Sequence, residues 1–164
     1  MQDALTIYFH GEKNAGLVLT GLGLLGLAAA APFFQPRWGL RSFAVTLAVF
    51  ALIEIAIGVG LHLRTGPQVS SLLALLGSDA TRFVAEEGAR MARVQRNFLV
   101  VQYIEAVVIV VATITAVALK HRVAIAGIAL GLVLNATLLL AFDLVAERRG
   151  AAYLTAIEAQ AKQP

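Results

Sequence analysis

Residues 42–63 read SFAVTLAVFALIEIAIGVGLHL, twenty-two positions with a single carboxylate, Glu54, near the middle. A helix needs roughly 20 mostly apolar residues to cross about 30 Å of hydrocarbon, and this stretch has that length. A charge at the centre of such a span costs about 2.5–3.5 kcal/mol on insertion scales, so something must compensate Glu54. Three further apolar stretches of similar length follow or precede it, at about 15–34, 98–119 and 123–145. The expected fold is an all-α integral membrane protein, a four-transmembrane-helix bundle forming one domain over residues 1–164.

The composition agrees. The chain is 59% hydrophobic and only 14% charged, with a mean hydropathy of +0.81, whereas a soluble domain is about half apolar and a quarter charged. There is no cysteine, which removes thiol redox chemistry, disulfides, thiolate metal sites and iron–sulfur clusters. The formal charge of +3 fits loops that face anionic lipid. No dense basic tract interleaved with aromatics argues for nucleic acid. The first span is long and lacks a convincing cleavage site, so it reads as a retained span and not a signal peptide.

Around these spans the elements are short. Residues 1–14 are amphipathic through Leu5, Ile7, Tyr8 and Phe9 and are expected to lie at the interface. Span one carries a stripe of small residues, Gly16, Thr20, Gly23 and Ala30, that allows close helix approach; the stripe predicts a homo-oligomer. Residues 35–41 supply Pro, Gly, an interfacial Trp38 and two Arg. Arg64-Thr65-Gly66-Pro67 reads as a breaker, followed by a short interfacial helix over 69–76. From Ala80 to Leu119 there is no Pro and one internal Gly, about 60 Å of helix if continuous. Its first part, about 79–97 and capped by Ser78 or Asp79, is amphipathic. Helix 3 is therefore expected to extend into the cytosol as a stalk on which a partner could dock, a kink at Gly88 being the alternative. Lys120-His121-Arg122 makes a tight turn. Glu147-Arg148-Arg149-Gly150 closes span four, and 151–162 forms a short C-terminal helix.

Lys and Arg set the orientation. Nine lie on the termini and the central loop against four on the two short turns, which places both termini on the cytoplasmic side, as in a bacterial inner membrane. Counting from the inner ends, Glu54, Glu105 and Asn135 lie about 13, 10 and 15 Å deep, with Gln102 on the face of Glu105. Asp143, His62 and Arg64 come nearer the inner surface, as an inlet. The polarity is one-sided: a funnel open to the inside. Two carboxylates in low dielectric repel each other, so a shared proton or a bound cation is expected; a divalent metal is a further ligand class for such oxygens.

The expected function is proton- or cation-linked transport or ion binding. The alternative is a non-catalytic scaffold or sensor, with Glu54, Glu105, Gln102 and Asn135 as an interhelical clasp. Gly21-Leu22-Gly23-Leu24-Leu25-Gly26 matches G-x-G-x-x-G, but it has no strand before it and lies inside a span, so the dinucleotide reading fails. His10, His62 and His121 offer no mid-membrane pair for haem, and no cofactor is expected. No nucleophile elbow and no H-E-x-x-H occurs, so nothing argues for an enzyme.

Overall fold

The computed structural model describes residues 1–35 and 39–162; Pro36, Arg37 and Trp38, within the expected interfacial turn, lie outside the described residues. Four long helices make up almost all of the rest: α1 (Gln2–Ala30), α2 (Arg41–Ser78), α3 (Ala80–Ala118) and α4 (Val123–Ala161). A 3-10 turn, Ala31–Phe34, extends α1 and has Pro32 near its start, where the missing amide is tolerable. Gly39 precedes α2 with φ of 63°, a left-handed conformation that favours glycine. Between α2 and α3 stands one residue, Asp79, whose Oδ1 accepts from the Arg82 amide at 2.9 Å and caps α3. The tight turn at 119–122 closes with the Arg122 amide donating to the Leu119 carbonyl at 2.8 Å.

Each helix contains an 18-residue window apolar enough to cross a membrane. Side-chain exposure defines where. Large exposed apolar residues run from Val45 to Leu63 on α2, Leu99 to Val117 on α3 and Val123 to Val145 on α4. At 1.5 Å per residue these belts are about 27, 27 and 33 Å tall, close to a hydrocarbon core of about 30 Å. Only Ile7 breaks the pattern among large exposed apolar residues at the end that carries the termini.

Beyond the belt at that end, all four helices continue, and the extension is not confined to helix 3. Leu5, Tyr8 and Phe9 of α1, Phe83 and Met91 of α3, and Tyr153 and Ile157 of α4 form a buried core. Val69, Leu72 and Leu76 of α2 pack against it. Three expectations change as a result. Residues 2–14 do not lie apart on a surface; they are the first turns of α1. Residues 151–162 are not a separate helix; they complete α4. And Arg64-Thr65-Gly66-Pro67 does not break the chain, because α2 runs through Pro67 to Ser78. A helix-interior proline costs about 3 kcal/mol. At about 0.8 kcal/mol per buried CH₂, four methylenes offset it, and the α2 leucines supply more than that. Gly88, where a kink was the alternative to a continuous helix, lies within an unbroken α3.

The two hairpins α1–α2 and α3–α4 each pack along their length. In the first, the small-residue stripe meets α2. A Cβ at Gly16 would lie 2.6 Å from the Gly58 carbonyl oxygen, and one at Gly23 would lie 2.5 Å from that of Ala51. Thr20 donates its hydroxyl back to the Gly16 carbonyl at 2.8 Å. The stripe read from the sequence as a surface for pairing copies is thus filled by α2 of the same chain.

Candidate functional site

The hairpins touch one another closely at two levels. Toward the turn between α3 and α4, Gly127 and Gly131 of α4 admit Ser42, Phe43 and Thr46 of α2 against their backbone. Toward the termini, the aromatic core just described joins all four helices. Between these levels the hairpins part and enclose a cavity of about 390 Å³.

Every helix contributes a face to it. Tyr8, Glu12, Ala15 and Leu19 come from α1, and Ile57, Leu61 and Arg64 from α2. Arg90, Val94, Phe98, Val101 and Glu105 come from α3. Leu139, Phe142, Asp143, Ala146 and Arg149 come from α4. The spacing of three and four within each set is the signature of one helical face. A second groove, between α3 and α4, is lined by Val107, Val111, Ile128 and Leu132 and is almost wholly apolar; it offers no chemistry.

The charges around the cavity divide by whether they are already matched. Arg64 reaches Glu12 Oε1 at 3.3 Å. Arg90 holds Glu87 with two 2.7 Å contacts, Nε to Oε2 and Nη2 to Oε1. Its guanidinium also lies 5.7 Å from the Phe9 ring centroid, a cation–π contact. Arg149 donates to the Gly11 carbonyl at 2.6 Å. All three cations are engaged. The acids are not: Glu105 is 8% exposed, and its Oε2 is buried without a partner. Asp143, which lines the same cavity, makes no hydrogen bond among the described residues. Glu12 Oε2 is also unpartnered. Glu105 and Asp143 are thus the lining acids without an ion pair among the described residues, and Arg149 is the lining cation whose contact is a neutral carbonyl.

Beneath the cavity lies a rigid floor. Tyr8 stacks on Tyr153, with centroids 4.7 Å apart and 10° between planes. Burial, reinforced by Glu12, pushes the Tyr8 phenol up to about 12. Burial and then the neighbouring Glu87 carboxylate raise Tyr153 as well. The hydrogen bond to Glu87 raises Arg90 above its already high range. This layer therefore holds neutral phenols and a fixed cation at every physiological pH.

The structure distributes the sequence-derived site residues over three places. Glu105, Asp143 and Arg64 line the cavity. Glu54 (5% exposed) and Asn135 (2% exposed) are buried outside its lining. The Asn135 amide donates to the Gly131 carbonyl of its own helix at 2.8 Å. Gln102 Nε2 and His62 Nδ1 are buried without partners, and His62 lies against Gly16 of α1. Among the described residues no hydrogen bond joins Glu54, Glu105, Gln102 and Asn135, and no three His, Asp or Glu side chains gather as a metal-binding set. Sequence reasoning missed Glu12, Glu87, Arg90 and Arg149. The signal was present: 87, 91, 94, 98, 101 and 105 alternate steps of four and three, a heptad seam that carries Glu105 and Glu87 on one face of α3.

No family model, no curated protein and no solved structure matches the chain.

Proposed function

We propose that this is an integral membrane protein that binds a proton or a cation at Glu105 and Asp143, and that binding serves proton- or cation-linked transport. The observation that carries the reading is the cavity, which is apolar along most of its wall yet contains a buried, unpartnered carboxyl beside a second acid. Two neighbouring carboxylates in low dielectric need positive charge between them, and among the described residues no arginine forms an ion pair with either acid. Intramembrane acids facing a cavity mark ion pathways in helical membrane proteins.

The belt of exposed Leu, Ile and Val is the surface that lipid covers. Lys13, Arg64, Arg93, Arg96, Arg148 and Arg149 follow the belt at the end with the termini, so that end faces the cytoplasm, and the extended helices form a cytosolic layer. The scaffold reading is weaker: the apolar face of residues 79–97 is buried by the other helices through Phe83 and Met91. A docking partner would meet only the charged face.

Infrared titration of the protein in lipid tests the reading. Wild type should show a protonated-carboxyl band in the neutral range that Glu105→Gln removes and Asp143→Asn shifts. A spectrum unchanged by either variant means that the pair does not exchange a proton. A reporter fused to the C-terminus should read cytoplasmic.

A further inference from the structure

We infer that the ligand of this cavity is a monovalent organic cation with an apolar body, not a bare inorganic ion; the inference rests on the proton- or cation-binding reading of Glu105 and Asp143. Size is the first argument. A volume of about 390 Å³ falls in the range of small-molecule sites, about 300–1,000 Å³, and far exceeds a dehydrated ion.

Ligation is the second. An inorganic cation stripped of water needs six or so oxygens in one shell, and the described residues gather no set of three acid or imidazole groups. An alkylammonium needs only one or two charge partners, because its carbon shell is satisfied by apolar contact. Glu105 and Asp143 supply the first requirement. Phe98, Phe142, Val101 and Leu139 supply the second, and aromatic faces add cation–π attraction.

The polarity runs along the bundle. Glu105 stands fifteen residues along α3 from Arg90, about 22 Å at 1.5 Å per residue, with Val94, Phe98 and Val101 between them. Glu105 thus stands at the end of the cavity far from Arg90, whereas Glu12 pairs with Arg64 and Asp143 lies six residues from Arg149 on α4. Charged and titratable groups line the space from every helix: Tyr8 and Glu12 of α1, Arg64 of α2, Arg90 and Glu105 of α3, and Asp143 and Arg149 of α4. An ammonium therefore seats at the Glu105 end, where the nearest free charge is negative, with its hydrocarbon between Phe98 and Phe142. Because either a proton or a permanent cation lowers the charge of the pair from −2 to −1, the two compete.

Benzyltrimethylammonium, which carries no exchangeable proton, is the probe. With purified protein in nanodiscs, calorimetry should show binding that releases about one proton per cation and weakens as pH falls. Glu105→Gln should weaken binding by about tenfold or more, the loss expected for one buried charged contact, and Asp143→Asn provides the same reading should the first variant misfold. Phe98→Ala should weaken binding while leaving the carboxyl infrared band in place. Equal binding of neutral neopentylbenzene, or preferential binding of benzenesulfonate, overturns the inference. So does failure of benzyltrimethylammonium to bind while the carboxyl band still titrates, a result that spares the proton-binding reading. Loss of both band and binding removes both.

Discussion

The Glu87–Arg90 pair makes an asymmetric prediction that follows from exposure. The Glu87 side chain is 1% exposed and that of Arg90 32%, so the two residues do not share the same fate when the partner is removed. Arg90→Ala strands a carboxylate in the aromatic core. Breaking a buried pair in this way costs about 3–5 kcal/mol, and loss of the contact over Phe9 adds about 0.5–1 kcal/mol. Glu87→Ala strands a guanidinium that can swing to water. Its cost is held to about 1–3 kcal/mol, the loss of a charged hydrogen-bonded contact. In the double variant neither charge is stranded, so it should be more stable than Arg90→Ala alone, although it lacks one more side chain. Thermal unfolding in detergent, followed by far-ultraviolet circular dichroism across the four variants, gives the cycle. Equal losses for the two single variants, or a double variant as unstable as their sum, would refute the claim that Glu87 is desolvated and depends on Arg90.

Gly58→Leu should unfold or grossly destabilise the chain, because its Cβ would lie 2.5 Å from the Gly16 carbonyl oxygen and overpacking alone costs about 1–3 kcal/mol. A folded, monomeric variant derived from an oligomeric wild type would instead show that the stripe joins copies. Alkaline titration should place the Tyr8 phenol near 12, absent in Tyr8→Phe. Burial lifts the folded value above a phenol's ordinary 10.0, so the stabilising contribution of neutral Tyr8 is complete below about pH 10 and is lost as pH rises toward 12. Unfolding midpoints that stay level across that interval in wild type would contradict the burial of the phenol.

Length and apolarity made the four candidate spans legible, because both are local properties of the chain. The layer of helix beyond the apolar belt was less so. Pro67 and Gly66 are strong local signals for a break, and only the partners of Leu72, Leu73 and Leu76, supplied by α1, α3 and α4, show why the helix continues. The same holds for Gly150: as a local signal it ends span four, yet in the bundle it lets Gln95 and Met91 of α3 approach the α4 backbone. Small residues at a helix surface announce close packing but not against what, and α2 was the nearer answer for Gly16 and Gly23.

Depth along the membrane normal is one coordinate of a side chain, and direction around the helix is the other. Counting residues placed Glu54, Glu105 and Asn135 at one level, but the cavity wall is defined by direction. On α2 the wall ends at Ile57 and on α4 at Leu139. Glu54 is three residues beyond the first and Asn135 four beyond the second, about 4.5 and 6 Å further along. Both are buried outside the cavity lining. Glu54 lies on the face of α2 that includes Ala51 and Gly58, the positions that approach α1. Equal depth therefore does not gather these residues into one cluster: Glu105 faces the cavity, Glu54 shares the α2 face that approaches α1, and the Asn135 amide turns back to its own helix.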